Sequence, residues 1–299
     1  MFSYIGGKSR IGKWIQEFIP TDIETYTEPF SGAFWVFFNM ELKKYPNLKE
    51  IVYNDKNNAN ANLFNCLRHP AFIDHLMKEE CQIKDNNRIG ESSPKIFGEK
   101  FAQYQKTAFD LFNEYDELHP DYRWAVEYAY VITQTFSGSK PETSNFVDLK
   151  YKYRCKFDSF RDRVKGIGRT DNKKYPLHFN KITNVHNLDF EKVIEMYDNE
   201  KSYFYCDPPY ALSESILKDG GELYYSNHTF KLKDHERLAD VLKNIKGYFS
   251  LSYYYFPELE IWFPKDKFHW EQKDFTKPSS STKTGQKQTV GTEILIMNY

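Results

Sequence analysis

Apolar residues recur every three or four positions in several parts of the chain, a spacing typical of helices with one buried face. In Ile11–Ile19, isoleucine, tryptophan or phenylalanine stands at positions 11, 14, 15, 18 and 19. The same pattern predicts further helices over Phe34–Tyr45, Asn58–Leu67, Arg123–Thr135, Phe190–Tyr197 and Leu232–Ile245.

Short runs of aromatic and β-branched residues separate these helices and predict strands. One begins at Thr25 and leads into a turn over Glu28–Gly32. The others cover Glu50–Asp55, Ser202–Cys206, Tyr248–Tyr255 and Thr292–Tyr299. Because strands that alternate with helices are typical of α/β proteins, we predict a doubly wound parallel sheet.

The middle of the chain does not follow this alternation. It is polar and is interrupted by the turn-rich segments DNNRIGESSP and FSGSKPETSN. We therefore predict one α/β domain formed by residues 1–66 and 182–299, with a separate module of mostly helices and loops over residues 67–181.

The composition supports a globular protein. Of the 299 residues, 40% are hydrophobic and 18% are aromatic, whereas disordered chains are poor in aromatic residues. No run of 18 apolar residues is present, so we expect no membrane span. The four cysteines have no CxxC spacing, which favours reduced thiols in a cytoplasmic protein and gives no indication of a metal site.

The net charge of −1 conceals a local excess of positive charge. Residues 150–174 contain ten Lys or Arg against three Asp, and we call these ten residues the basic stripe. A basic stripe in a nearly neutral protein suggests contact with a polyanion. Charge alone slightly favours the alternative, a solvated surface.

Three polar clusters fall where predicted strands end: Glu28–Gly32, Asn54–Asp55 and Asp207–Tyr210. In parallel sheets, ligands bind outside the carboxyl ends of the strands. An acid such as Asp55 can accept hydrogen bonds from ribose hydroxyls, and Gly32 lets the backbone approach a cofactor. Lys8, in GGKSR, is suited to a cofactor carboxylate.

The tetrapeptide DPPY, at 207–210, places a carboxylate at a rigid corner after a buried strand. Asp207 and the Pro208 carbonyl are two acceptors, which suit the two donors of an NH₂ group. Tyr210 offers a flat face on which a base can stack. The alternative is a turn in which Asp207 caps a helix and Tyr210 packs on the core, and the tetrapeptide alone leaves both interpretations open.

Taken in chain order, YIGGK, TEPFSGAF, VYNDKN, YCDPPY and EILIMNY resemble the motifs of Dam-type N6-adenine DNA methyltransferases. The resemblance covers roughly residues 1–66 and 182–299. It implies a Rossmann-like methyltransferase sheet, S-adenosylmethionine (AdoMet) as cofactor, and a target-recognition module over residues 67–181.

The resemblance also implies roles for single residues. Residues matching cofactor-binding positions are Tyr4, Lys8, Glu28, Phe30, Gly32, Asp55, Asp189, Phe190 and Asp207. Asp189 and Phe190 correspond to a pair that brackets the cofactor adenine. Asp207, Pro208 and Tyr210 correspond to the catalytic motif. Phe34 stands where the family commonly has a second glycine.

The middle module resembles the family far less. Phe136 and Ser137, in QTFSG, lie where the family often has a loop that wedges into DNA, although Phe136 is equally suited to a core position. Basic-stripe residues that we predict to contact DNA phosphates are Lys152, Arg154, Lys156, Arg161 and Arg163.

The resulting prediction is methyl transfer from AdoMet to the exocyclic N6 of a flipped adenine in double-stranded DNA, without a metal. Other amine targets, such as cytosine N4 or adenine in RNA, and a non-catalytic DNA-binding relic remain alternatives. The sequence does not distinguish a restriction–modification enzyme with a cognate endonuclease from an orphan or phage enzyme. It also leaves the recognition sequence and the oligomeric state open.

Overall fold

The computed structural model describes residues 7–79, 95–135, 141–146, 156–210, 230–276 and 290–299. The strands are β1 Thr25–Glu28, β2 Glu50–Asn54, β3 Asn184–His186, β4 Ser202–Cys206, β5 Tyr248–Tyr253, β6 His269–Thr276 and β7 Val290–Met297. The α-helices are α1 Gly12–Ile15, α2 Trp35–Asn39, α3 Asn58–Cys66, α4 Pro70–Lys78, α5 Lys95–Ala108, α6 Tyr122–Gln134, α7 Lys156–Lys165, α8 Lys174–Phe179, α9 Phe190–Tyr197, α10 Leu232–Lys243 and α11 Glu258–Trp262.

These elements form two compact units. The sheet unit comprises Lys8–Ser31, Trp35–Asn54 and Leu188–Tyr299. The helical unit comprises chiefly Asp55–Asn187, together with Gly32–Phe34. The contacts therefore group α3 and β3 with the middle of the chain, whereas the sequence assigned them to the α/β domain. The function of residues 67–181 in DNA recognition remains a prediction.

Six strands of the sheet unit are ordered β2-β1-β4-β5-β7-β6. The first four are parallel, with Thr27 of β1 opposite both Val52 and Phe204. β4 is buried along its whole length, as expected for a central parallel strand covered on both faces. The mixed α/β architecture, with a seven-stranded sheet in the described residues, fits the Rossmann-like sheet that the resemblance implies.

The predicted doubly wound sheet is confirmed, but its parallel pairing does not extend to the last two strands. β7 pairs antiparallel with both β5 and β6. The sequence did not predict β6 because most of its residues, in HWEQKDFT, are polar or charged. The predicted helix over 34–45 is also shorter: α2 ends at Asn39, whose side-chain amide donates to the Trp35 carbonyl at 2.7 Å.

The chain leaves β1 towards β2 on one side, and β4 joins β1 on the other side. This reversal makes the carboxyl ends of β1 and β4 the topological switch point, where open α/β sheets bind ligands. The clusters after β1, β2 and β4 consequently begin at one edge of the sheet.

The helical unit is held together by α6, which is buried along most of its length. Asp121 begins this helix by accepting from the Trp124 backbone amide at 3.0 Å. Tyr128 of α6 donates to the Asn60 side chain of α3 at 2.6 Å. No helix among the described residues is long and apolar enough to cross a bilayer.

Candidate active site

The DPPY corner follows β4 directly. Asp207 is partly buried and Pro208 is fully buried. The Lys8 ammonium donates to both carboxylate oxygens of Asp207, at 2.6 and 2.7 Å. Lys8 was predicted to bind a cofactor carboxylate. In the structure it binds both oxygens of Asp207, the predicted catalytic acid.

A second carboxylate, that of Glu293 on β7, approaches the same ammonium at 3.4 Å. Glu293 is 1% exposed and accepts a hydrogen bond from the Tyr210 hydroxyl. Burial raises the pKa of both Asp207 and Glu293, and the charge of Lys8 opposes this shift. Burial lowers the pKa of Lys8, but the two carboxylates outweigh it, so the net shift is upward and Lys8 stays charged.

Tyr210 is partly buried among aromatic neighbours. Its ring centroid lies 5.5 Å from that of Tyr253 and 4.8 Å from that of Tyr254. The Lys8 ammonium lies 4.8 Å from the Tyr210 ring centroid, within the range of a cation–π contact. Tyr210 is thus fixed by its hydroxyl and its neighbours, and a cation lies over the ring predicted to stack a base.

Glu28 ends β1 in the interior of the sheet unit. It is 2% exposed, and its Oε1 accepts from the Tyr26 hydroxyl at 2.6 Å and the Phe37 amide at 3.1 Å. Burial raises its pKa to about 8. In this position Glu28 supports the turn after β1, and its predicted contact with a cofactor remains a prediction.

Phe30 and Phe190 pack together at the carboxyl edge of the sheet, with ring centroids 5.4 Å apart. Asp189 begins α9 by accepting from the Glu191 amide at 3.1 Å. The predicted Asp–Phe pair therefore lies next to Phe30, as a shared role at the cofactor would require.

Arg237 of α10 lies against this pair. Its guanidinium donates to both oxygens of Asp189, at 2.7 and 3.0 Å, and lies 4.1 Å from the Phe190 ring centroid. A bidentate contact of this kind fixes the orientation of the carboxylate. Arg237 could not be predicted as a site residue, because DHERLADVLK shows only a helical pattern.

Asn54 belongs to one of the three polar clusters, but no role was predicted for it. It is fully buried, and its amide group bonds the Pro29 carbonyl at 2.9 Å and the Leu188 carbonyl at 3.1 Å. Its Oδ1 accepts from the Leu188 amide at 2.9 Å. Asn54 thus joins the turn after β1 to the segment that leads into Asp189 and Phe190.

In the helical unit, the Asp55 carboxylate accepts three internal hydrogen bonds. Their donors are the Gly32 amide at 2.8 Å, the Asn57 amide at 2.8 Å and the Asn60 side chain at 3.1 Å. A carboxylate has about four acceptor positions, so this set leaves room for about one further donor, rather than both hydroxyls of a ribose. The ribose role of Asp55 remains a prediction.

The turn that precedes α2 has two residues in the left-handed region, Gly32 with φ 49° and Phe34 with φ 56°. Phe34 thus adopts the backbone conformation that a glycine would adopt easily. Its ring is fully buried and lies edge-on to Phe64 at 6.1 Å. The packing of that ring holds a backbone conformation that costs an ordinary residue about 1–2 kcal/mol.

Arg161, which we predicted to contact DNA phosphates, has other partners in the structure. Its side chain is buried, forms an ion pair with the buried Asp158, and donates to the backbone carbonyls of Met77 and Glu79. A guanidinium that satisfies buried acceptors is not available to a phosphate. Lys156 is exposed and Arg163 is partly exposed, so both remain candidates.

Further members of the basic stripe lie on the surface: Lys165, Arg169 and Lys173 are exposed. Other predicted site residues lie outside the described residues: Tyr4, Phe136, Ser137, Lys152 and Arg154.

Comparisons with known proteins assign the chain to a family. A family model for D12 class N6 adenine-specific DNA methyltransferase matches residues 4–278. The type II methyltransferase M.FokI of Planomicrobium okeanokoites is 22% identical over 318 residues, which cover 99% of this chain and 42% of that protein. The chain thus spans less than half of the length of M.FokI.

Two further relatives match this chain over most of their own length. The DNA adenine methylase of Haemophilus influenzae (strain ATCC 51907 / DSM 11121 / KW20 / Rd) is 24% identical over 243 residues, covering 81% of this chain and 73% of that protein. The type II methyltransferase M1.LlaDCHI of Lactococcus lactis subsp. cremoris is 25% identical over 312 residues, covering 99% and 94%.

Proposed function

The chain belongs to the D12 class of N6 adenine-specific DNA methyltransferases, and from this premise we propose that it transfers the methyl group of AdoMet to N6 of a flipped adenine in duplex DNA. The observation that carries the proposal is the corner after β4. There a partly buried carboxylate, Asp207, and an aromatic ring, Tyr210, lie at the switch point of the sheet.

The adenine amine is a poor nucleophile because its lone pair is conjugated with the ring. Asp207 and the Pro208 carbonyl would accept hydrogen bonds from the two N–H groups of the amine. These contacts would draw the nitrogen towards a tetrahedral geometry. These contacts strengthen as the nitrogen becomes positive, so they favour the transition state over the ground state. Asp207 also holds the amine in a fixed orientation, so that less entropy is lost when it attacks the methyl group.

Tyr210 would stack on the flipped base, which returns about 1–3 kcal/mol against the few kcal/mol that flipping requires. Its ring needs no further ordering, because Tyr253, Tyr254 and Glu293 already hold it. Lys8 lies over this ring and on Asp207, so it must move when the base enters.

The residues of the sheet unit fit AdoMet, which supplies an activated methyl group on a sulfonium. Phe30 and Phe190 offer apolar ring surface, and the Asp189 carboxylate, oriented by Arg237, lies beside Phe190. At the DPPY corner, the Asp207 carboxylate suits a cationic ligand. We propose that these residues hold AdoMet, and the cofactor roles of Gly32 and Asp55 remain predictions.

The exposed part of the basic stripe, including Lys156, Arg169 and Lys173, would lie along DNA phosphates. Such contacts supply affinity and position the protein on the duplex without specifying sequence. Specific recognition would then come from other residues of the 67–181 module.

Two of the relatives are named type II methyltransferases. We extend this context to the chain and propose that it protects DNA against a cognate restriction endonuclease. Single-molecule sequencing of DNA from an expressing, methylation-free host would give the methylated sequence. An endonuclease that cleaves only the unmodified form of that sequence would support the proposal.

The central test is transfer of labelled methyl groups from AdoMet to plasmid DNA prepared from a methylation-free host. Asp207→Asn should reduce transfer at least a hundredfold, whereas Asp240→Asn, an exposed acid on α10, should retain it. Wild-type activity in Asp207→Asn would contradict the role of Asp207. Mass spectrometry should find N6-methyladenine, and N4-methylcytosine would contradict the proposed target.

A further inference from the structure

Glu293 is the one acid of the described DPPY corner that the proposed reaction does not use. It is a buried carboxylate on β7, 1% exposed, in a strand whose following four residues are buried and mostly aliphatic. A carboxylate in such surroundings is unfavourable unless it has partners. Its partners are the Tyr210 hydroxyl and the Lys8 ammonium.

Both partners of Glu293 also meet the substrate in the proposed reaction. Tyr210 would stack on the base, and Lys8 occupies the Asp207 oxygens that would accept the amine. An ammonium has three donors, and in the structure two of them are directed at Asp207. Glu293, at 3.4 Å, is the neighbouring carboxylate to which Lys8 can turn.

The base and Lys8 compete for the same place. Lys8 lies 2.6 Å from one Asp207 oxygen and 4.8 Å from the Tyr210 ring centroid, so it covers an acceptor and a ring that the base requires. Removing a buried ammonium from its carboxylate is costly unless another negative group receives it. A shift of Lys8 from Asp207 to Glu293 keeps the ammonium paired throughout.

We propose that Glu293 is a positioning residue for methyl transfer, which orients Tyr210 through its hydroxyl and receives Lys8 when the substrate amine takes its place on Asp207. The inference rests on the proposed function. It adds a residue from the antiparallel β7, which contributes nothing to the DPPY motif itself.

The two roles of Glu293 can be separated by substitution. Glu293→Gln keeps an oxygen that accepts from Tyr210 but removes the charge that receives Lys8. Tyr210→Phe keeps the ring but removes its bond to Glu293. Glu271→Gln, a partly exposed acid on β6, is the matched control for loss of a carboxylate.

We expect Glu293→Gln to lower kcat at least tenfold on unmethylated plasmid DNA, because Lys8 then loses the carboxylate that draws it from Asp207 and competes longer with the substrate amine. The KM for DNA should change less than threefold, since phosphate contacts dominate DNA affinity and do not involve Glu293. Glu271→Gln should match wild type in both constants. Calorimetry should show that Glu293→Gln still binds AdoMet.

A double-mutant cycle with Lys8→Met tests whether Glu293 acts through Lys8. In the Lys8→Met background, the further substitution Glu293→Gln should lower kcat less than twofold, because the ammonium it serves is absent. Losses that multiply instead would indicate independent structural effects and overturn the inference. Unchanged kcat in Glu293→Gln would overturn it directly.

If Glu293→Gln does not fold, Tyr210→Phe decides, since it removes a Glu293 contact from the other side. We expect a several-fold loss of kcat, and wild-type kinetics in Tyr210→Phe would then contradict the inference. Failure of the proposed function is recognised separately, because the wild-type protein would itself transfer no methyl group to DNA.

Discussion

Asn54 and Leu188 exchange two hydrogen bonds, although they lie far apart in the sequence. The Asn54 amide donates to the Leu188 carbonyl at 3.1 Å, and the Leu188 amide donates to Asn54 Oδ1 at 2.9 Å. Together with the bond from Asn54 to Pro29, these contacts align the turn after β1 with the start of α9. The position of Asp189 and Phe190 beside Phe30 depends on this link.

Asn54→Ala should lower the free energy of unfolding by about 2–4 kcal/mol, because it leaves buried backbone groups of Pro29 and Leu188 without their partner. Urea denaturation measures this change, and calorimetry should show weaker AdoMet binding. Asn244→Ala, an exposed asparagine after α10, is the control and should change stability by less than about 0.5 kcal/mol. Equal effects of the two substitutions would contradict the role given to Asn54.

Arg237→Lys should weaken AdoMet binding about tenfold while the positive charge is retained. Lysine cannot reproduce the two parallel bonds to Asp189 or the flat contact with Phe190. Calorimetric titration with AdoMet measures the effect. Lys233→Gln, at an exposed position of the same helix, should bind AdoMet as the wild type does.

Phe34 gives an unusual order of stabilities. Phe34→Ala should destabilise the protein by about 3–5 kcal/mol through loss of the buried ring. Phe34→Gly should be more stable than Phe34→Ala by about 0.5–1 kcal/mol, because glycine relieves the left-handed backbone. At the buried helical position Phe38 the order should be reversed, with glycine about 1 kcal/mol worse than alanine.

Removing the positive charge should reduce protein stability at Arg161 but DNA binding at Lys173. Arg161→Met should destabilise the protein by about 3–5 kcal/mol, since it leaves the buried Asp158 without its ion pair. Lys173→Gln should leave stability unchanged and weaken DNA binding, with a salt dependence whose slope falls by about one. Fluorescence anisotropy at several salt concentrations, beside urea denaturation, separates the two effects.

Glu28 predicts a pH dependence of stability. Because burial raises its pKa from 4.5 to about 8, the folded protein keeps a proton that the unfolded chain loses. Its contribution to stability therefore falls as pH rises between these two values, by at most about 1.4 kcal/mol per pH unit. Glu28→Gln does not ionise, so its stability relative to wild type should increase over this range and level off above about pH 8. A constant difference would contradict the proton on Glu28.

The sequence was sufficient for those features that depend on local patterns. Alternating apolar runs predicted β1, β2, β4 and β5, and helical spacing predicted α3, α6, α9 and α10. The three polar clusters were placed at strand ends correctly, because strand direction follows from the alternation of strands and helices. Topology then brought these ends to one edge of the sheet.

Features that depend on distant contacts could not be predicted in this way. The burial of Arg161 could not be predicted by counting charged residues, because a segment with a buried ion pair can have the same composition as an exposed basic surface. Glu293 lies in a mostly apolar strand, and its partners Lys8 and Tyr210 are known only from the fold. The backbone of Phe34 is likewise decided by the packing of its ring against Phe64.

The position of β7 also determines when the active site can form during biosynthesis. Asp207 and Tyr210 leave the ribosome before α10, β5, α11 and β6, and Glu293 follows only with β7. That strand must insert between β5 and β6, which precede it in the chain. A nascent chain can therefore expose the DPPY segment before Tyr210 meets Glu293, because that contact requires β7 to pair between β5 and β6.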